Sequence, residues 1–329
     1  MSDIDPRRQA LENWIAEQQG APPAAVIAAS SDASFRRYFR VTTAGGESVI
    51  AMDAPPAQED SRPYVEVAEL LAEAGLNAPR ILAADLDRGF LLISDLGRQT
   101  WLDVIDDGNA DELFAAAIAA LVRWQAATVP GRLPPYDQTL LRRELELFPT
   151  WYLGRHFGIT LRGRRADAWE QCCRLLIESA EAQPQVYVHR DYMPRNLMIS
   201  NPNPGIVDFQ DAVIGPVTYD VVSLFKDAFL SWPEERVAGW RRQYWETARE
   251  AGVPLQADYA EFERAFDWMG LQRHLKVLGI FARLNYRDGK PRYLEETPRF
   301  VNYVRTVAAL YEEFTPLLEM FDDLPESAA

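Results

Sequence analysis

The chain has 329 residues, of which 34 are Lys or Arg and 49 are Asp or Glu, giving a formal charge of −15 on a composition that is 48% hydrophobic and 11% aromatic. That balance belongs to a folded globular protein and excludes disordered and fibrous classes. The net negative charge also argues against a nucleic-acid partner, which would call for a basic surface.

The opening Met-Ser-Asp-Ile-Asp-Pro-Arg-Arg lacks the basic and then apolar order of an export signal. The longest apolar run, Leu113 to Val122, is well short of the ~20 residues of a membrane span. The two cysteines, Cys172 and Cys173, are neighbours and poorly placed to bridge each other. The expectation is therefore a cytoplasmic protein with no membrane partner, of about two domains at roughly 150 residues each.

The first third reads as strands with one helix. Tyr38 to Val41 and Ser48 to Met52 are β-prone runs joined through Gly45-Gly46, which predicts a hairpin. Pro63, the helically spaced Glu66, Val67, Leu70 and Leu71, and the stop at Gly75 predict an amphipathic helix. Phe90 to Ile93 reads as a buried strand, broken by Ser94-Asp95-Leu96-Gly97. From Asp103 the pattern is mainly helical, over 110–127, 137–156, 166–181, 217–230, 234–251, 257–284 and 298–320, and a domain boundary is expected near Gly97. One stretch, 186–209, interrupts the helices with three short apolar runs separated by polar loops.

That interruption carries the chemistry. Pairing Leu197–Ile199 with Ile206–Val207 across Asn-Pro-Asn-Pro-Gly puts Asn196 opposite Asp208 or Phe209, with Asp191 five residues upstream on the incoming loop. Hard oxygen donors in that number suit Mg²⁺, which keeps several waters and takes the rest of its shell from substrate phosphates.

The run His189-Arg190-Asp191, then Asn196, then Asp208-Phe209 resembles the catalytic loop and metal-binding Asp of protein-kinase-like enzymes, in the variant of the aminoglycoside phosphotransferase-like family. The resemblance implies an α+β, protein-kinase-like two-lobe fold. Residues 1–97 would form a small β-rich nucleotide-binding lobe, and 98–329 a larger, mainly helical catalytic and sugar-binding lobe. It implies ATP and Mg²⁺ as cofactors, Asp191 as the base that takes the proton of the attacking hydroxyl, His189 as a brace of the loop, and Asn196 and Asp208 as metal ligands. The segment Ser34-Phe35-Arg36-Arg37 stands where such a lobe drapes a loop over ATP phosphates, although no G-x-G-x-x-G precedes it. Met52 stands where kinases carry a phosphate-binding Lys, and Glu66 stands where its partner would be, so Glu66 is expected to pair instead with an Arg of the 36–40 segment. Asp95 and Leu96 fall in the linker whose backbone holds adenine. Asp220 resembles an Asp that ties down the catalytic loop.

Further runs narrow the resemblance. Ser-Phe-Arg-Arg-Tyr-Phe-Arg-Val, Met-Asp-Ala-Pro-Pro at 52–56, Asp-Phe-Gln-Asp-Ala at 208–212 and Leu-Lys-Val-Leu-Gly-Ile-Phe-Ala-Arg-Leu at 275–284 are similar to one bacterial branch, the anomeric amino-sugar kinases of peptidoglycan recycling. That branch phosphorylates the C1 hydroxyl of N-acetylmuramate and N-acetylglucosamine. The implied partner is thus a small amino sugar, with no nucleic acid, no membrane and no obligate protein partner evident. Arg195, Arg273, His274, Lys276 and Arg283 are candidates for the lactyl carboxylate, since guanidinium groups bind carboxylates in bidentate fashion. Two other readings stay open at this point: an aminoglycoside acceptor, which the −15 charge would suit, and an ATP-binding pseudokinase, which the missing lysine would suit.

Overall fold

The computed structural model describes residues 5–31 and 35–325, so the expectation placed on Ser34 lies outside the described residues. By packing, the chain forms two units. One comprises the residues up to Asp107 together with Pro194–Asp211, and the other Gly108–Met193 and everything from Ala212 onward. The single cut near Gly97 expected from sequence is replaced by three crossings, because a hairpin far along the chain returns to complete the first unit.

The first unit opens with a helix the sequence reading passes over, α1 (Pro6–Gln19). Its start and stop signals are complete: Asp5 caps the backbone N–H groups of Arg7 and Arg8, Pro6 takes the first turn, and Gly20 ends the helix at φ 71°. A five-stranded antiparallel sheet follows, from β1 (Ala25–Ser31), β2 (Arg37–Thr42) and β3 (Ser48–Asp53), then α2 (Arg62–Glu73), β4 (Ile81–Asp85) and β5 (Phe90–Ser94). Its spatial order is β1-β2-β3-β5-β4. Strand periodicity sorts the side chains. Phe39, Val41, Val49, Ala51, Phe90 and Leu92 pack with Leu11, Trp14 and Ile15 of α1 into one core. Arg7 and Arg37 both reach the buried carboxylate of Asp53, at 2.9 and 3.0 Å from their Nε atoms. Gly89, at φ 73°, is required at the β4–β5 turn, since a Cβ there would lie 1.9 Å from the Ala54 carbonyl oxygen.

The second unit is mainly helical: α3 (Ala110–Ala126), α4 (Gln138–Leu145), a π-helical stretch Phe148–His156, and α5 (Arg164–Ala182) lead to β6 (Gln185–Val188). The chain then passes through the first unit as a short hairpin, β7 (Leu197–Met198) and β8 (Gly205–Ile206), before β9 (Val213–Pro216) pairs antiparallel with β6. There follow α6 (Tyr219–Phe225), α7 (Glu234–Glu250), α8 (Tyr259–Asp288), α9 (Thr297–Ala308) and α10 (Thr315–Asp322). The predicted helix over 137–156 breaks at Pro149, and that over 298–320 breaks before Pro316. α8 is buried almost all round from Ala265 to Gly279, the mark of a helix at the centre of a core. Among the described residues no helix is long and apolar enough to cross a membrane.

Candidate active site

On the face of the sheet opposite α1, the cross-strand ladder Arg40–Ile50–Ile93 forms one wall of a cavity of about 340 Å³. Tyr38, Tyr64, Leu96 and Met198 add apolar surface, and Ser94, Asp95, Gly97 and Arg98 line the segment leaving β5. A pocket that sets apolar side chains beside a few polar groups suits a small ligand that carries an apolar ring.

At the same cavity stand Arg195, Asn196 and Asp208. The β7–β8 hairpin brings the last two together: Leu197 pairs with Ile206, and the Val207 amide donates to the Asn196 carbonyl at 3.1 Å. The Asn196 amide lies 3.4 Å from one Asp208 oxygen, and Gln210 donates to the other at 2.9 Å. Asp208 holds φ 62°, a left-handed conformation that a non-glycine residue adopts only when its surroundings impose it. Phe209, buried against the Tyr64 ring at 4.7 Å, supplies that anchor. One carboxylate and one amide oxygen are hard donors of the type Mg²⁺ takes, so the residues present fit the ion.

Asp95 ties the exit of β5 to the sheet. It accepts from Arg40 at 2.6 and 3.0 Å, from Ser48 at 2.5 Å and from the Gly97 N–H at 3.0 Å. Burial pushes its carboxyl up, but these donors outweigh burial and hold it down at about 2.

The loop residues expected over the phosphates are placed otherwise. Arg37 shares the parity of Phe39, so it faces α1 and pairs with Asp5 and Asp53. Arg36 and the amide of the exposed Phe35 are held by Glu59, at 3.0 and 3.3 Å. The basic side chain of β2 that lines the cavity is Arg40. Glu66 is exposed on α2 and pairs with no Arg of the 36–40 segment; Glu59, Asp53 and Asp95 take those arginines. Met52 is fully buried between Tyr38 and Leu91.

In the second unit β6 delivers His189, Arg190 and Asp191. Asp220, buried at the start of α6, accepts from the His189 and Arg190 amides at 2.6 and 2.9 Å. Burial raises its carboxyl to about 6, with the neighbouring His189 and the two N–H bonds opposing. Arg190 sits at φ 76°, its carbonyl accepting from Ser223 at 3.4 Å and its guanidinium donating to Glu144 of α4 at 2.5 Å. The Asp191 amide donates to His189 Nδ1 at 3.3 Å, so the buried histidine braces the half-buried aspartate. Glu144 escaped the sequence reading, although a glutamate between Leu141 and Leu145 on the apolar face of α4 was its signal.

The remaining candidates scatter. Arg195 lies with the cavity of the first unit, while Arg273 and His274 are buried within α8, at 2% and 1% exposure. Arg283 is ten residues further along that helix, about 15 Å away. Lys276 is committed to Glu144 at 2.9 Å and to the Tyr219 hydroxyl at 2.8 Å, which withdraws it from direct contact with an acceptor.

A paired carboxylate and amide at a cavity of the first unit, and a His-Arg-Asp loop pinned through its own backbone in the second, accord with a kinase-like phosphotransferase. A family model described as the phosphotransferase enzyme family matches residues 25–263, and the chain belongs to that family. It is 57% identical to the N-acetylmuramate/N-acetylglucosamine kinase of Pseudomonas aeruginosa, covering 100% of this chain and 99% of that protein. It is 44% identical to the kinase of the same name from Neisseria meningitidis, covering 97% and 96%. Among solved structures, ADP-bound aminoglycoside phosphotransferase APH(2'')-Ib superposes with a TM-score of 0.61 at 14% identity, covering 97% of this chain and 99% of that one. Macrolide 2'-phosphotransferase MphH of Brachybacterium faecium gives 0.57 at 12%, covering 91% and 98%. These likenesses establish the fold.

Proposed function

We propose that the protein transfers the γ-phosphoryl group of ATP to the C1 hydroxyl of N-acetylmuramate and N-acetylglucosamine, giving the α-1-phosphate, in the cytoplasm and within peptidoglycan recycling. The observation that carries the chemistry is the Asn196–Asp208 pair at the slot lined by β2, β3 and β5. The acceptor rests on the 57% identity to the Pseudomonas aeruginosa kinase across the whole chain.

In this reading the slot takes adenine against Ile50 and Ile93, with Asp95 and Leu96 at its edge. Asn196 and Asp208 would hold Mg²⁺, which when bound neutralises phosphate charge. Asp191 accepts the proton of the attacking hydroxyl. A hemiacetal hydroxyl is more acidic than an ordinary alcohol, which lightens the demand on a carboxylate base. His189 and Asp220 fix where Asp191 stands, and alignment is most of what phosphoryl transfer asks of a protein. Arg195 at the cavity and the buried Arg273 and His274 remain the proposed contacts to phosphate or to the acid group of the sugar, with Arg283 the outlier.

The test is incubation with MgATP and N-acetylmuramate, read by phosphorus NMR. A phosphate coupled to the anomeric proton is expected. Turnover confined to an aminoglycoside would overturn the acceptor, and ATP binding without transfer to any hydroxyl would overturn the enzyme.

A further inference from the structure

Two helices, α4 and α8, and the loop after β6 meet at one carboxylate. Glu144 of α4, 5% exposed, accepts from Arg190 at 2.5 Å, from Lys276 of α8 at 2.9 Å, from the Tyr136 hydroxyl, and from Gln272 at 3.4 Å. Lys276, 8% exposed, also donates to the hydroxyl of Tyr219, the residue before Asp220 on α6. Burial alone would raise the Glu144 carboxyl, but the charges of Lys276 and Arg190 hold it down at about 2.

Two cations, Arg190 and Lys276, face this one carboxylate. Asp191, the residue that follows Arg190, acts on the charge of both. Its backbone is tied to this cluster as well. The Arg190 peptide is held in a left-handed conformation that a non-glycine residue adopts only where its surroundings impose it. It persists because Asp220, Ser223 and Glu144 grip its N–H, its C=O and its side chain.

We propose that Lys276 is a positioning residue for phosphoryl transfer, acting through Glu144 and Arg190 on the placement of Asp191. Its ammonium fixes which way the Glu144 carboxylate presents to Arg190, and its charge acts on that of Asp191. The inference rests on Asp191 being the base. Without Lys276 the Arg190–Glu144 pair survives but is free to turn, and displacement of a catalytic group by about 1 Å costs about 100-fold in rate.

The test compares Lys276→Met, Lys276→Arg, Glu144→Gln and Asp191→Asn in the full chain, measuring kcat and the KM for ATP per folded molecule. Lys276→Met is expected to lose 10- to 100-fold in kcat with the KM for ATP within twofold, and Lys276→Arg to recover most of the loss. Glu144→Gln, nearly isosteric, is expected to lose kcat likewise, and the double variant Glu144→Gln/Lys276→Met to fall no further than Glu144→Gln alone, since both act along one path. A Lys276→Met kcat within twofold of wild type, or equal impairment of the Met and Arg variants, overturns the proposal. If Lys276→Met does not fold, an unchanged kcat in Glu144→Gln overturns it. Wild-type turnover in Asp191→Asn would instead overturn the reading of the site, so the two failures are distinguishable.

Discussion

Replacing Asp95 by Asn keeps the shape of the side chain and removes its charge. In the native protein this carboxyl is held at about 2, well below its ordinary 3.8, by Arg40, Ser48 and the Gly97 amide. At about 1.4 kcal/mol per unit that is about 2 kcal/mol of stability, with the side chain only 9% exposed so that solvent screens it little. The folded pKa lies below the unfolded one, so the contribution is fully present above about pH 4 and is lost progressively toward pH 2. Asp95→Asn should therefore lower stability at pH 7 by about 2 kcal/mol, or Tm by about 4–8 °C, and the gap to wild type should narrow at pH 3.5. Because Arg40, Asp95 and Gly97 all line the slot, the KM for ATP should rise several-fold while kcat changes less. Urea unfolding at the two pH values and steady-state kinetics measure both effects. An Asp95→Asn protein with unaltered unfolding at pH 7, or a gap that does not shrink at pH 3.5, would refute the reasoning.

Three further outcomes are expected. Asp191→Asn should lose nearly all kcat while unfolding at the wild-type urea concentration and binding ADP with unchanged affinity by calorimetry; loss of ADP binding would move Asp191 out of its role. Gly279→Ala, whose Cβ would stand 2.3 Å from the Leu147 carbonyl carbon, should destabilise the second unit by about 3 kcal/mol, and an unshifted urea midpoint would contradict that packing. Burial raises the Asp227 carboxyl to about 6, with the Ala228 amide and Arg273 opposing. Its folded pKa exceeds its unfolded one, so the native state binds the extra proton and stability falls by up to about 3 kcal/mol as pH rises from about 4 to 6. Asp227→Asn should flatten that slope, and an identical slope in the variant would rule this origin out.

The fold was most legible where local signals were complete. The Gly45-Gly46 hairpin pairs in the expected place, with Thr42 against Ser48, and long periodic runs such as that of α8 appear as helices. α1 carries equally clear signals, Asp5-Pro6 and Gly20, although its apolar face is short, with only Leu11, Trp14 and Ile15 buried. In the site, turn chemistry pointed to the hairpin that carries Asn196 and Asp208, but its register sets Asn196 opposite Val207 rather than opposite Asp208 or Phe209, and the two meet only through their side chains, at 3.4 Å. The side of the sheet on which Arg37 falls had no such signal, because a one-residue change of strand parity reverses every side chain and nothing local sets it. Glu66 failed for a related reason: its expected role assumed a lysine on β3, and the chain buries Met52 there and answers its arginines with Glu59, Asp53 and Asp95. Lys276 and Glu144 lie 132 positions apart, and only the tertiary fold makes them partners.

The return of residues 194–211 to the first unit bears on the order in which the protein can assemble as it is made. Gly205 and Met198 bridge to Asn77 and Thr100, and Asn77 also holds Ser200. The slot lacks Arg195, Asn196, Met198, Val207 and Asp208 until this stretch is available. A nascent chain ending at residue 107 thus lacks these five lining residues, and roughly a hundred more must be synthesised to supply them. At about 5–20 residues per second that is a delay of about 5–20 s. A truncated protein ending at the first boundary would likewise lose five of the eighteen residues lining the slot, the Asn196–Asp208 pair among them, because these are encoded on the far side of another folding unit.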